Sequence, residues 1–131
     1  CGVKGTGKTK TLIDMVNTAL ETSRGSVVCI EKGTKLIHEI KYQARLIDTE
    51  EYKVSGSVDA LYGFVAGIYA SNHDVTHIFV DSALKIIGGN IEEFEQLTEK
   101  FAEFGDKNGL EFVVTSSIPL DDVPENLKKY L

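Results

Sequence analysis

Tryptophan is missing from this chain, and methionine, proline, cysteine and arginine are scarce. The 131 residues include no Trp, one Met, two Pro and two Cys, so we expect neither a disulfide framework nor a proline-rich linker. No apolar run approaches the roughly 20 residues that a membrane-spanning helix needs. The net charge is −6 and the only arginines are Arg24 and Arg45, which argues against a broad nucleic-acid surface because such surfaces cluster Lys and Arg.

What the chain does contain fits one globular domain covering residues 1–131. Hydrophobic residues make up 42% of the sequence and charged residues 26%, which is an ordinary balance for a single core. Cys29 lies inside an apolar strand pattern and is interpreted as a buried, reduced thiol. These features together predict a cytoplasmic protein.

The most specific motif is a glycine-rich segment close to the first residue. It matches the pattern GxxxxGK(S/T), and it reads Gly2-Val3-Lys4-Gly5-Thr6-Gly7-Lys8-Thr9. Glycines let the backbone N–H groups approach phosphate oxygens, and a helix that starts near Lys8 directs its positive end toward the same place. Lys8 would reach the β- and γ-phosphates and the Thr9 hydroxyl would ligate Mg²⁺. The motif predicts a P-loop that binds a nucleoside triphosphate.

A P-loop normally follows a strand, and here only Cys1 precedes Gly2. We therefore expect a domain whose first strand is truncated, as in a fragment or a processed product.

Helix and strand patterns alternate along the chain, which predicts an α/β fold with a mostly parallel sheet. We expect a three-layer α-β-α arrangement. The predicted elements are a helix over residues 12–20 stopped by Gly25, a strand Ser26 to Glu31, a helix over residues 34–47 capped by Thr34, a short strand Tyr52 to Ser55, a helix capped by Ser57, a strand before Asp81, a helix from Asn90 closed by Gly105, and a strand Leu110 to Val114.

The strand Thr76 to Val80 ends in Asp81, an apolar run followed by a carboxylate. In a P-loop protein an aspartate at this place serves Mg²⁺, directly or through a bound water, so Asp81 is a metal candidate together with Thr9. The last strand is followed by Thr115-Ser116-Ser117. These hydroxyls would either contact the γ-phosphate or the attacking water, or simply form a turn.

The combination of Gly2 to Thr9, Glu31 at a strand end, Ile78-Phe79-Val80-Asp81-Ser82 and Phe112 to Ser117 resembles the core of RecA-like P-loop ATPases. The resemblance implies a magnesium-dependent ATPase in which Lys8 and Glu31 are catalytic, Asp81 serves the metal and Ser117 contacts the nucleotide at the sensor position. From its position alone, Glu31 is either this base or a solvated acid at a strand end. It also implies a parallel sheet in which the strand near Phe112 lies between the P-loop strand and the Asp81 strand, with Val27 to Ile30 beyond.

Three functions remain open at this point. The first is an ATPase that drives or gates a process through a protein partner or a homo-oligomer. The second is a small-molecule or nucleoside kinase, although the shortage of arginine disfavours it because kinases use arginines to neutralise the transferred phosphoryl group. The third is a binding module that responds to nucleotide with little turnover.

Overall fold

The structure is a computed structural model that describes residues 8–33, 40, 43–54 and 56–115, with the backbone alone for residues 8–11. Most of the glycine-rich motif, from Gly2 to Gly7, and Ser117 therefore lie outside the described residues. So does most of the segment for which a Thr34-capped helix is predicted.

Four helices and four strands are present in the described part of the chain. In order they are α1 (Lys8–Thr22), β1 (Ser26–Glu31), β2 (Arg45–Asp48), α2 (Val58–Ser71), β3 (Val75–Val80), α3 (Ala83–Ile86), α4 (Ile91–Asn108) and β4 (Glu111–Val114). No helix in these ranges combines the length and the apolar character needed to cross a membrane.

The four strands form one sheet in the order β2-β1-β3-β4. Every pairing is parallel, and Ile30 of β1 lies beside both Ile47 of β2 and Val80 of β3. Val80 in turn lies beside Val114 of β4. The predicted α/β class and parallel sheet are confirmed, as is the placement of the Asp81 strand between the strands that contain Val27 and Phe112.

Each face of the sheet has its own hydrophobic cluster. On one face, Leu12, Val16 and Ala19 of α1 pack against Cys29 and Phe79. The opposite face is covered by α2, α3 and α4, whose apolar residues include Leu61, Val65, Ile86, Phe94, Leu97 and Phe101. Helices thus cover both faces, which is compatible with a three-layer α/β fold.

The direction of α1 follows from its short connection to β1. Ser23 and Thr76 share a hydrogen bond between their hydroxyls, and the Ser26 N–H donates to the Asp74 carbonyl at 2.8 Å. These contacts attach the end of α1 to the amino edge of the sheet. The 15 residues of α1 span about 22 Å, close to the ~20 Å of a six-residue strand, so α1 begins at the carboxyl edge.

Two of the predicted helix caps are confirmed. The Ser57 hydroxyl accepts from the Ala60 N–H at 3.2 Å, and the Asn90 side chain accepts from the Glu93 N–H at 3.1 Å. Both are N-cap hydrogen bonds that satisfy an otherwise free backbone donor.

The prediction that Gly105 closes the helix that starts at Asn90 is wrong. Helix α4 continues to Asn108, and Gly109 with φ of 70° forms the left-handed C-cap. Gly105 lies inside the helix, where an added Cβ would stand 2.8 Å from the Leu110 carbonyl oxygen. The glycine therefore permits close packing of α4 on β4.

The helix predicted over residues 34–47 is wrong at its end, where Arg45–Asp48 is strand β2. Ile40, Ala44 and Ile47 are buried as expected. However, Ala44 directly precedes the outer strand β2 and Ile47 lies within it, so a helix does not account for their burial. The predicted strand from Tyr52 is also wrong. Residues 51–53 form a turn in which Lys53 has a φ of 58°.

Candidate functional site

Two carboxylates lie side by side where the central strands end. Glu31 is the last residue of β1 and Asp81 follows β3 directly. The Asp81 N–H donates to the Ile30 carbonyl at 2.8 Å, which continues the strand pairing past Val80. Glu31 is 1% exposed and Asp81 is 9% exposed. Adjacent strands are about 4.8 Å apart, so both side chains lie at the same place on the carboxyl edge.

Both carboxylates lie on the face of the sheet that α1 covers. Side chains alternate along a strand, so Glu31 shares the face of Cys29, which packs against α1. The same proximity affects the pKa of the Cys29 thiol. Burial is the main cause that raises it from 9.0 to about 12, and the charges of Glu31 and Asp81 raise it further. Because α1 begins at the carboxyl edge, the positive end of its dipole lies at the same edge of the sheet as these two acids.

Thr115 holds Asp81 in place from the neighbouring strand. Its hydroxyl donates to Asp81 Oδ1 at 2.7 Å and accepts from the Ser82 N–H at 2.9 Å. Its backbone N–H donates to the Val80 carbonyl at 2.9 Å, and its carbonyl accepts from the Ala83 N–H at 3.0 Å. One residue that follows β4 therefore bonds Val80, Asp81, Ser82 and Ala83, at the end of β3 and in the turn after it.

The turn contains a backbone conformation that most residues avoid. Ser82 has φ of 55° and ψ of 45°, in the left-handed region, which costs a non-glycine residue about 1–2 kcal/mol. Such strain persists only where the surroundings hold it, and here Thr115 does so through the Ser82 N–H. The conformation lets the chain leave the sheet at once into α3.

Asp48, at the end of β2, holds the backbone of the segment that follows Glu31. Its Oδ1 accepts from the Gly33 N–H at 2.8 Å and from the Glu50 N–H at 2.9 Å. The Glu31 carbonyl also accepts from the Thr49 N–H at 2.8 Å. The end of β2 thus fixes the backbone at Glu31 and at Gly33, and the φ of 104° at Gly33 allows the chain to turn there.

The strand order itself indicates a binding crevice. From β1 the chain moves outward to β2, and from β3 it moves outward in the opposite direction to β4. In open parallel sheets, ligands bind outside the carboxyl ends of two strands whose connections diverge in this way. That position lies between β1 and β3, where Glu31 and Asp81 stand.

The structure describes only some of the predicted site residues. Glu31 and Asp81 are adjacent, and the backbone of Lys8 and Thr9 forms the first turn of α1. The glycine-rich residues before Lys8 lie outside the described residues, as does Ser117.

The sequence interpretation did not single out Asp48 or the bond from Thr115 to Asp81. A carboxylate after the apolar pair Leu46-Ile47 was a usable signal for Asp48, but it requires β2 to be recognised as a strand. The Thr115 hydroxyl belongs to the predicted Thr115-Ser116-Ser117 segment, and its partner was not evident from the sequence.

Asp81 is the side chain of this site that could contribute to a magnesium ion held together with other ligands. Within the described ranges, no group of three or more His, Cys, Asp or Glu side chains could enclose a metal ion. Mg²⁺ in nucleotide sites takes one or two carboxylates and completes its ligands with waters and substrate phosphates. Asp81, with one oxygen bonded to Thr115 and a nearly buried side chain, is a suitable donor of this kind.

Comparison with known proteins gives no family assignment: no protein-family model matches the chain, and a search of curated proteins finds no significant match.

Proposed function

We propose that this protein is a P-loop NTPase that binds a magnesium nucleoside triphosphate at the carboxyl edge of its sheet and hydrolyses ATP. The observation that carries the proposal is the pair of buried carboxylates, Glu31 and Asp81, at the carboxyl edge of the parallel sheet. It is supported by helix α1, whose first residues complete the motif GxxxxGK(S/T). The all-parallel sheet supports it, because P-loops occur at the carboxyl edge of such sheets.

In this proposal the triphosphate lies over the start of α1. The backbone N–H groups of residues 2–9 bind its oxygens, and the helix dipole stabilises the negative charge. Lys8 extends to the β- and γ-phosphates, and Thr9 contributes its hydroxyl to the metal site. Bound Mg²⁺ would neutralise charge on the β- and γ-phosphates.

Asp81 and Glu31 take different roles because their surroundings differ. Asp81 is held by Thr115 and belongs to the metal site. Glu31 stands on the neighbouring strand, on the side away from β4, and we assign it the positioning of the attacking water and the acceptance of its proton. This division agrees with the resemblance to RecA-like ATPases.

The small number of arginines bears on what the ATPase activity serves. Arg24 is exposed beyond the end of α1, and Arg45 is exposed at the start of β2. Both therefore stand near the amino ends of the strands, away from Glu31 and Asp81. We propose that a protein partner or another copy of the chain supplies a cation to the transition state, so that ATP turnover is coupled to association.

Nucleotide binding with and without metal tests the proposal. Isothermal titration of the parent protein with ATP should show binding that Mg²⁺ strengthens. Lys8→Ala should weaken Mg–ATP binding by about 10- to 100-fold, since a charge-assisted hydrogen bond contributes about 1.5–3 kcal/mol. Lys107→Ala is the matched control, because Lys107 is exposed in the last turn of α4.

The outcomes separate the competing functions. Equal affinity of the parent and the Lys8 variant would contradict phosphate binding by the motif. Product that appears only when an acceptor such as a nucleoside is added would indicate a kinase. Tight binding with no turnover, alone or with added protein partners, would indicate a nucleotide-responsive binding module.

A further inference from the structure

Thr115 has no hydrogen left to give to a nucleotide. A threonine hydroxyl carries a single donor, and that of Thr115 is directed to Asp81 Oδ1 at 2.7 Å. The oxygen also accepts from the Ser82 N–H, and the residue is only 5% exposed. A residue that senses the γ-phosphate needs a donor that can turn toward the ligand, which Thr115 lacks in this arrangement.

We infer that Thr115 is a positioning residue that orients the Asp81 carboxylate toward the metal of the bound nucleotide, an inference that rests on the proposed function. The terminal torsion of an aspartate is broad, because it joins an sp³ to an sp² carbon. A short hydrogen bond to Oδ1 selects one orientation and leaves Oδ2 as the oxygen available to the site. Thr115 thereby acts on the metal through Asp81.

The backbone contacts of Thr115 explain how the orientation is maintained. Its N–H, carbonyl and hydroxyl together bond Val80, Asp81, Ser82 and Ala83. The hydroxyl therefore cannot move without releasing the strained turn at Ser82. The carboxylate and the turn that carries it are fixed to the same residue.

A pair of substitutions separates this role from packing. Thr115→Val keeps the shape and loses the hydroxyl, whereas Thr115→Ser keeps the hydroxyl and loses the methyl group. For each variant, Mg²⁺ is titrated into protein with a non-hydrolysable ATP analogue, and the affinity for the same analogue is measured in EDTA.

Thr115→Val should lower the nucleotide-dependent Mg²⁺ affinity by about 10-fold, the effect expected when a hydrogen bond that orients a metal ligand is lost. Its metal-free nucleotide affinity should stay within about 2-fold of the parent, and Thr115→Ser should bind Mg²⁺ like the parent. In an Asp81→Asn background, Thr115→Val should cause little further loss, because the two groups act as one unit.

Three results would overturn the inference while leaving the proposed function intact. They are an unchanged Mg²⁺ affinity in Thr115→Val, an equal loss in Thr115→Ser, and additive losses with Asp81→Asn. A parent protein that binds no nucleotide overturns the inference together with the proposed function. If Thr115→Val does not fold, Thr115→Cys replaces it. Its thiol is a weaker donor, so it should lower the Mg²⁺ affinity by less than 10-fold, and parent-like affinity would contradict the inference.

Discussion

Substitution of Gly25 by alanine tests the junction between α1 and the sheet. An added Cβ would stand 1.9 Å from the Asp74 carbonyl oxygen and 2.9 Å from the Thr76 methyl group. The first of these is a backbone atom, so the strands themselves must move. The same carbonyl accepts the Ser26 N–H at 2.8 Å, and that hydrogen bond would be lost or distorted.

The expected loss of stability can be built from these two contributions. Forcing a group into a filled space costs about 1–3 kcal/mol, and a backbone hydrogen bond contributes about 1 kcal/mol. We expect Gly25→Ala to lower the free energy of unfolding by about 2–4 kcal/mol in total. For a domain of this size that corresponds to a fall in Tm of roughly 6–15 °C.

Thermal unfolding followed by circular dichroism, together with urea unfolding, measures both quantities. Gly63→Ala is the matched control, because Gly63 lies in α2 with nothing within 4 Å of an added Cβ. That change should raise stability by about 0.5–1 kcal/mol through helix propensity. If Gly25→Ala melts at or above the temperature of the parent, the close approach of Gly25 to Asp74 is refuted.

Three further predictions follow from contacts elsewhere in the molecule. Glu31→Gln should lower ATP turnover by about 100-fold with Mg–ATP binding unchanged. The exposed control Glu103→Gln should leave both unchanged. Steady-state kinetics measures the turnover of each variant, and isothermal titration measures its affinity for Mg–ATP. Gly105→Ala should destabilise by about 1 kcal/mol in urea unfolding, because the crowding near the Leu110 carbonyl exceeds the gain in helix propensity. Because the pKa of Cys29 is raised from 9.0 to about 12, the folded thiol keeps its proton where the unfolded chain has lost it, so stability should fall between pH 9 and 12. Cys29→Ala should show a shallower fall in urea unfolding across that range, and an identical slope would contradict the shift.

The strands and caps that the sequence predicts correctly have strong local signals. The run Val27-Val28-Cys29-Ile30 is continuously apolar and β-branched, as a strand covered on both faces must be. Ser57 is followed by a strongly apolar helical segment and Asn90 by a long amphipathic one, so the local sequence was enough to predict their capping roles. In these places, local propensity and the tertiary environment favour the same conformation.

Predictions fail where long-range packing decides the structure. Ile40, Ala44 and Ile47 have helical spacing, but Ile47 pairs with Ile30 in a four-residue strand. Such short apolar runs do not distinguish helix from strand. Glycine often ends a helix, but Gly105 lies inside α4, where the close approach of the Leu110 carbonyl leaves no room for a Cβ.

The candidate site was predicted only in part, for a similar reason. Glu31 and Asp81 end apolar strands, and the rule that parallel strands share a carboxyl edge was enough to place them together. The bond from Thr115 to Asp81 joins residues 34 positions apart. The left-handed backbone conformation after β3 occurs at Ser82 and not at a glycine, the residue that usually indicates it. Neither feature has a local sequence signal.

The parallel sheet has a consequence for when the site comes into existence during folding. None of its strands is joined to a neighbour by a tight hairpin, and the contact between Ser26 and Thr76 closes a separation of 50 positions. Each pairing must therefore wait for a long stretch of chain to close, which slows folding of such topologies. Glu31, Asp81 and Thr115 belong to three different strands or strand ends and meet only after those closures. A nascent or partly unfolded chain would possess all three residues without their arrangement, so the hydrogen bond from Thr115 to Asp81 would form only when the sheet is complete.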